Sequence, residues 1–384
     1  MGSVVRRGKS YSVVLDLDRD PQTGRRRQKW HSGYPTKRAA QAALADLVGS
    51  VNHGVYVAKT RQTVASFAAE WLAAITPTVR PATLYSYSRN LRLHVLPYVG
   101  TTPLVAVDAG TLNGLYSRLL AEGRKDHAAG GLSPRSVRYV HTIGHRMLKD
   151  AVKWGRLTRN PADAADPPRA NSSGQPDMVT WSASELGHFL DGVREDRLYM
   201  AYLVLATTGM RRGEALGLRW ADLNFEQGRA AIRQTVIAVN HEVIIGTPKT
   251  AKGRRTVSLD TVTVTGLREH RKLQNAERLL TGSGWRDHDL VFARVDGEPL
   301  HPERFSRSFV ERSRQLGLPK IRLHDLRHGW ATMALAAGVH PKVVQERLGH
   351  ASISITLDTY SHVSPALHGE AAETVAALVF GTAR

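Results

Sequence analysis

The 384-residue chain has no cysteine. That one absence excludes disulfide bonds, cysteine-ligated zinc and a thiol nucleophile together, and it is compatible with a reducing compartment. Long apolar runs are missing too, so no segment reads as a membrane span. The opening MGSVVRRGKS lacks the apolar core of a secretory signal, and Arg6 breaks the myristoylation pattern. An intracellular, cytoplasmic protein without a membrane partner is therefore expected. Acidic residues are scarce beside basic ones, 34 against 53, which leaves a formal net charge of +19. Neither a Walker loop nor a cluster of carboxylates occurs, so neither ATP nor a metal is expected as a cofactor.

The excess of base points to a polyanionic partner, because neutralising phosphates and releasing their counterions drives sequence-independent affinity for DNA. A hydrophobic content of 42% can fill folded cores, and a chain this long divides into two or three domains.

From Tyr11 the apolar residues alternate through Val13, Leu15 and Leu17 into the turn signal Asp20-Pro21-Gln22-Thr23-Gly24, and a second strand follows as RRRQKWH. Alternation places Arg25, Arg27 and Lys29 on one face, and the helical segment TKRAAQAALADLVG can cover the other. Residues 1–60 hold 11 Lys or Arg against 4 Asp. A basic ribbon of this kind fits a DNA groove, whereas a solvated edge hairpin would use the same charges only against aggregation.

Residues 63–165 read as helices with basic faces, among them SPRSVRYVHTIGHRMLKDAVKWG, which offers Arg135 and Arg138 as DNA contacts. Pro81 and Pro134 suit first turns, and Pro97 and Gly155 suit helix ends. Residues 166–177 have linker composition. The last domain, 178–384, opens on a capping box at Ser182 and Glu185. It continues through three candidate strands between Ala230 and Leu259 and becomes helical again from about Pro302.

Within that domain HDLRHGW, starting at His324, admits two readings. Two histidines four apart, with an acid after the first, approach the HExxH zinc pattern. Zinc, however, would need a third ligand and a glutamate base, and would face the charge of Arg327. On a helix, Leu326, Trp330, Met333 and Ala337 form one stripe, with His324, Arg327 and His328 roughly opposite. That polar face suits an anion, although a capped helix with solvated histidines would look the same.

Other segments decide between these readings. TGMRRGEALGLRWADL supplies Arg211 at a helix start with Glu214 three residues on; PKTAKGRR supplies Lys249; ERLGHASISITLDTYSHV supplies His350 and Tyr360. Singly, each has an ordinary explanation as an ion pair, a solvated turn, a helix cap or a core edge. As an ordered set, Arg211, Lys249, His324, Arg327, His350 and Tyr360 resemble the six catalytic positions of the tyrosine recombinase family, phage-integrase type. Only the family's spacing selects Arg211 over Arg212, and Lys252, Arg254 and Arg255 compete with Lys249.

The resemblance implies a multidomain α+β protein: a small N-terminal three-stranded sheet plus helix that binds arm-type DNA, a helical SAM-like core-binding domain, and a mostly α catalytic domain with a small antiparallel β-sheet. It implies attack by Tyr360 on a phosphate held by Arg211, Arg327 and His350, with His324 as base, Lys249 as acid, and Glu214 and Asp325 in support. Site-specific integration and excision would follow, on double-stranded DNA with core and arm sites. A homotetramer would perform it, helped by an excisionase and a DNA-bending host factor, nucleoid-associated when bound. The tail beyond Tyr360, with Val375, Leu378 and Val379 at helical spacing, resembles the terminal helix that family members dock on a neighbour, and packing within its own domain would explain it equally. A type IB topoisomerase and a DNA-binding regulator without chemistry are the competing readings.

Overall fold

The computed structural model describes residues 2–17, 24–52, 61–125, 130–169, 179–248, 253–360, 376–378 and 380–381, excluding the side chains of Arg27, Ser50, Val51, Asn52, Ile355, Asp358, Thr359 and Tyr360. Lys249, Lys252, the linker positions 170–178 and tail residues 361–375 and Val379 lie outside the described residues. Two compact units divide the chain at Pro176–Asp177.

The first unit begins with an antiparallel sheet of β1 (Gly2–Arg7), β2 (Ser10–Leu17) and β3 (Arg27–Tyr34), followed by α1 (Lys37–Asn52). Its register corrects one expectation. A Cβ on Gly2 would meet Leu44 of α1, so the Gly2 face of the sheet is the helix face. Gly2 pairs with Leu15, and Leu15 with Lys29, so Lys29 points to the helix side rather than away from it, while the side chain of Arg27 lies outside the described residues. The uncovered face carries Trp30 instead, with the Arg7 guanidinium 4.7 Å from its ring. Alternation gave the period correctly, but only pairing could show which phase the helix covers.

The remainder of this unit is helical: α2 (Val64–Ile75), α3 (Pro81–Asn90), α4 (Leu96–Val99), α5 (Ala109–Glu122) and α6 (Pro134–Lys153). They close on one core that includes Phe67, Trp71, Leu119, Val137 and Ile143. Pro81 and Pro134 sit in first turns, and Gly155 follows α6 with φ +66°. Pro97 does not end a helix. Its ring would clash with the carbonyl four residues back, and the chain widens into a π turn at Leu91–Val95, with the Leu96 N–H donating to Leu91 O, before α4 resumes. Arg135 and Arg138 are both exposed on α6, and Arg138 also donates to Pro168 O at 3.3 Å.

The second unit is built around α8 (Tyr199–Thr208), which is apolar on all sides and accordingly central. Helices α7 (Ala183–Gly192), α9 (Arg212–Leu216), α10 (Thr261–Thr281) and α12 (Asp325–Ala336) pack against it. Ser182 and Glu185 form the capping box at the start of α7. Among its described residues, the stretch expected to hold three strands holds four: β5 (Arg229–Ile232) and β8 (Arg255–Ser258) form one sheet with β4 (Leu223–Asn224), which precedes the stretch, and the hairpin β6 (Thr235–Val239) and β7 (Glu242–Gly246) makes a second sheet. Asn240 and His241, both at positive φ, form the two-residue turn of that hairpin. Helices α11 (Pro302–Gln315), α13 (Pro341–Leu348) and α14 (Ile353–Tyr360) complete the described part. Among the described residues no helix is long and apolar enough to cross a membrane.

Candidate active site

Three consecutive residues organise the site. Helix α13 ends at Leu348, and Gly349 caps it in the left-handed conformation, φ +66°, where glycine carries no steric cost. The carbonyl of Leu348 accepts from Arg327 Nη2 at 2.7 Å. The carbonyl of Gly349 accepts from Arg211 Nη2 at 3.3 Å. The next side chain is His350. One turn therefore brings together a histidine, an arginine from 21 residues back and another from 138 residues back.

Arg327 is 3% exposed, which departs from the helical wheel that set it on an open polar face. Helix α12 packs against both α8 and α13, and its buried face is the one that carries Arg327, Ala331 and Leu335; of the expected apolar stripe only Leu326 is buried, Trp330 and Met333 are half-buried and Ala337 is exposed. The guanidinium is held by carbonyls: besides Leu348 O it donates to Gly209 O at 2.8 Å. Gly209 is the left-handed cap that ends α8, and a Cβ there would meet Leu348 and the Trp330 ring. Both acceptors lie at helix C-termini, where unpaired carbonyls and the helix dipole favour a cation.

Arg211 is anchored by a different route. It precedes α9, and its backbone N–H and its guanidinium donate to Glu214 Oε2 and Oε1 at 3.0 and 2.7 Å. Glu214 is 4% exposed and also receives both Nη atoms of Arg255, at 2.9 and 3.2 Å. Burial would raise its carboxyl, but the hydrogen bonds and charge of Arg255, reinforced by Arg211, hold it below the usual range. Arg255 in turn donates through Nε to Arg347 O at 2.6 Å. Sequence reasoning offered Arg255 only as a rival to Lys249. Its place at the start of β8, where alternation turns position 257 into the core, was the available signal for an inward role.

His324 stands at the start of α12 with His328 one turn on, their rings edge to face at 5.2 Å. The imidazole of His324 keeps solvent on one side, yet burial, then the charges of His328 and Arg327, push its pKa down to about 4. His350 is likewise lowered to about 4, by burial and then by Arg327 and Arg211. Both rings are neutral at pH 7. His350 Nδ1 lies 2.9 Å from Thr356 Oγ1 on α14, the helix that Tyr360 closes. The Asp325 carboxylate accepts from the Arg322 N–H at 2.7 Å and from the Arg322 guanidinium at 3.0 and 2.7 Å, and its charge acts on both histidines against the effect of their burial. Asp325 thus supports the start of α12. Among the described residues no group of three or more His, Asp or Glu converges as a metal site.

Beside Arg211 and His324 opens a cleft of about 850 Å³ lined also by Arg212, Arg307 and Arg322. Arg212 is directed to Ser306 Oγ at 2.7 Å and Arg211 to the turn at 348–350, which separates the two adjacent arginines. A cleft lined by four arginines and the His324 imidazole favours a phosphodiester.

Three family models tile the chain. An arm DNA-binding domain matches residues 3–51, the N-terminal SAM-like domain of phage integrases matches 63–117, and the phage integrase family matches 183–366. The chain belongs to the phage integrase family of tyrosine recombinases. Among curated relatives, a XerC-like tyrosine recombinase of Caldanaerobacter subterraneus subsp. tengcongensis is 26% identical, with 97% of each chain covered. The ICEBs1 integrase of Bacillus subtilis is 29% identical over 67% of this chain and 69% of its own. Among solved structures, the Tn1549 transposon integrase in complex with transposon right end DNA aligns with a TM-score of 0.64 at 20% identity, covering 81% of this chain and all of that one. A lambda integrase dimer bound to a COC′ core site gives 0.59 at 16% identity over 93% and 94%. At these identities the structural matches establish a shared fold. As an integrase-family member, the chain is a site-specific recombinase.

Proposed function

We propose that this recombinase cleaves and rejoins double-stranded DNA through a 3′-phosphotyrosine at Tyr360. The observation that carries the reading is the turn at 348–350, which gathers Arg327, Arg211 and His350. As Tyr360 attacks phosphorus, charge builds on the non-bridging oxygens. Arg211 and Arg327 are held at adjacent carbonyls of one turn, Gly349 and Leu348, so their planar donors are preorganised beside each other, the condition under which such donors contribute most. His350 adds a neutral donor. His324, neutral at pH 7, takes the tyrosine proton, and Lys249 protonates the departing 5′ oxygen. The phosphotyrosine conserves the energy of the broken bond, so rejoining requires no ATP.

In this reading residues 1–60 bind arm-type sites and residues 63–165 the core site through Arg135 and Arg138, with Arg25, Arg27 and Lys29 contributing at the sheet edge. Four protomers would exchange strands between two duplexes, with an excisionase and a DNA-bending factor setting direction. The relatives that carry integrase names support integration of a mobile element as the biological outcome.

Covalent trapping tests the chemistry. The protein is incubated in EDTA with nicked duplexes cut from DNA flanking its own gene, beside Tyr360→Phe. A denaturant-resistant adduct that forms with the native chain and vanishes in the variant is expected. Tight binding without an adduct on any fragment would return the regulator reading. Relaxation of supercoils on DNA of any sequence, without joining of two sites, would return the topoisomerase reading.

A further inference from the structure

His350 is anchored twice. Its backbone is tied to Gln345, whose carbonyl accepts the His350 N–H at 3.1 Å and whose Nε2 donates to the His350 carbonyl at 3.0 Å. Its ring is tied to Thr356, which is 0% exposed and reaches Nδ1 at 2.9 Å. Gln345 belongs to α13, so it fixes where the ring starts. Thr356 belongs to α14, so it fixes where the ring points.

A neutral imidazole carries one N–H, and its position is set by whatever the other nitrogen accepts. When the Thr356 hydroxyl donates to Nδ1, the proton resides on Nε2, the nitrogen left to meet a phosphate. Were Thr356 absent, Nδ1–H would compete and the donor at Nε2 would be partly lost. Among the described residues, the charged and titratable groups around this ring are Arg327, Arg211, His328 and Arg255, and each cation disfavours a second proton on it. The tautomer, rather than the charge, therefore decides whether His350 can donate.

We propose that Thr356 is a positioning residue that holds His350 with Nε2–H toward the scissile phosphate and makes that orientation depend on the docking of the helix that Tyr360 closes. Position 360 lies four residues beyond position 356, one helical turn along the same face. Nucleophile helix and phosphate donor are thus set by a single docking event: when α14 leaves, the ring loses the partner that selects its tautomer. This inference rests on the role given to His350 above.

Two measurements test it. The first is single-turnover cleavage of the nicked duplex by Thr356→Val and Thr356→Ser, each also made in a His350→Ala background. Thr356→Val is expected to slow cleavage about tenfold at saturating DNA, the worth of one hydrogen bond, with half-saturation unchanged. Thr356→Ser should stay within about twofold of the native chain, since it keeps the hydroxyl. In the His350→Ala background Thr356→Val should change nothing, because its effect passes through the ring. A full-strength loss in that background, or a native rate in Thr356→Val alone, would overturn the proposal. The second measurement is the ¹⁵N spectrum of the His350 ring in the full chain, assigned by difference with His350→Gln. It is independent of whether the chain cleaves DNA, so a failed cleavage assay would count against the phosphate chemistry alone. An Nε2–H tautomer in the native protein that becomes mixed in Thr356→Val is expected, and an Nδ1–H tautomer in the native protein would contradict it.

Discussion

Arg211 and Arg327 meet the same three-residue turn, yet they are fixed by opposite means. Arg211 is held by an anion three residues along its own chain and keeps 42% of its side chain exposed. Arg327 is enclosed and held by two backbone carbonyls, one 118 residues away in sequence and the other 21. The first arrangement places a charge with a charge and leaves the guanidinium free to reach outward. The second spends helix ends on it, and so makes Arg327 part of the framework as well as of the site. Losing Arg327 should therefore harm fold and chemistry together, and losing Arg211 the chemistry alone.

The largest effect is expected from Arg327→Ala. It strands the Gly209 and Leu348 carbonyls in a buried space and removes a donor, so a stability loss of about 2–4 kcal/mol should accompany loss of detectable adduct. Chemical denaturation beside the trapping assay reads both. Glu214→Gln comes next: it leaves Arg211 and Arg255 without their shared anion, at a cost of about 3 kcal/mol, and a lower denaturation midpoint together with slower cleavage is the expected pair. Arg211→Lys should separate the two properties. A point charge cannot replace the planar fork, so single-turnover cleavage should fall about 10²-fold while stability stays within about 1 kcal/mol of native. If Arg211→Lys destabilised as much as Arg327→Ala, the contrast between the two arginines would be lost.

Acid should act on the histidines rather than on the arginines. His324 and His350 titrate near 4 in the folded chain, against about 6.5 when free. As pH falls from 6.5 the unfolded chain takes up these protons first, so their contribution weakens stability between pH 6.5 and 4 and levels off below. Denaturation midpoints of the native chain and His350→Gln across that range should converge as pH falls. The smallest effect is expected from Arg322→Ala, whose side chain is 78% exposed and paired with Asp325: a stability change below about 1 kcal/mol.

The same contrast explains what the sequence made legible. The Arg211–Glu214 pair sits within one helical turn, so spacing alone suggested it. The capping box at Ser182 and the first-turn prolines were likewise local and are found where expected. Arg327 was legible from spacing as part of a polar face suited to an anion and as a catalytic residue only through resemblance, and its burial was missed because a helical wheel assumes one covered face while α12 has two. The phase of the N-terminal ribbon was missed for a related reason: period 2 gives two faces, and which one α1 covers depends on pairing. Arg255 acts through the carboxylate of Glu214 and the carbonyl of Arg347, 41 and 92 residues away, and Thr356 through a ring nitrogen six residues back across a change of helix, contacts that leave no periodic pattern in the chain.

The most direct measurement is single-turnover cleavage by Arg327→Ala of a duplex whose scissile phosphate has one non-bridging oxygen replaced by methyl. That linkage has no negative charge for a guanidinium to neutralise. Cleavage faster than the same variant achieves on the ordinary phosphate is the expected result, since the missing cation is no longer needed. Equal failure on both linkages, with the native chain active on the ordinary one, would contradict Arg327 as the group that meets the phosphate charge.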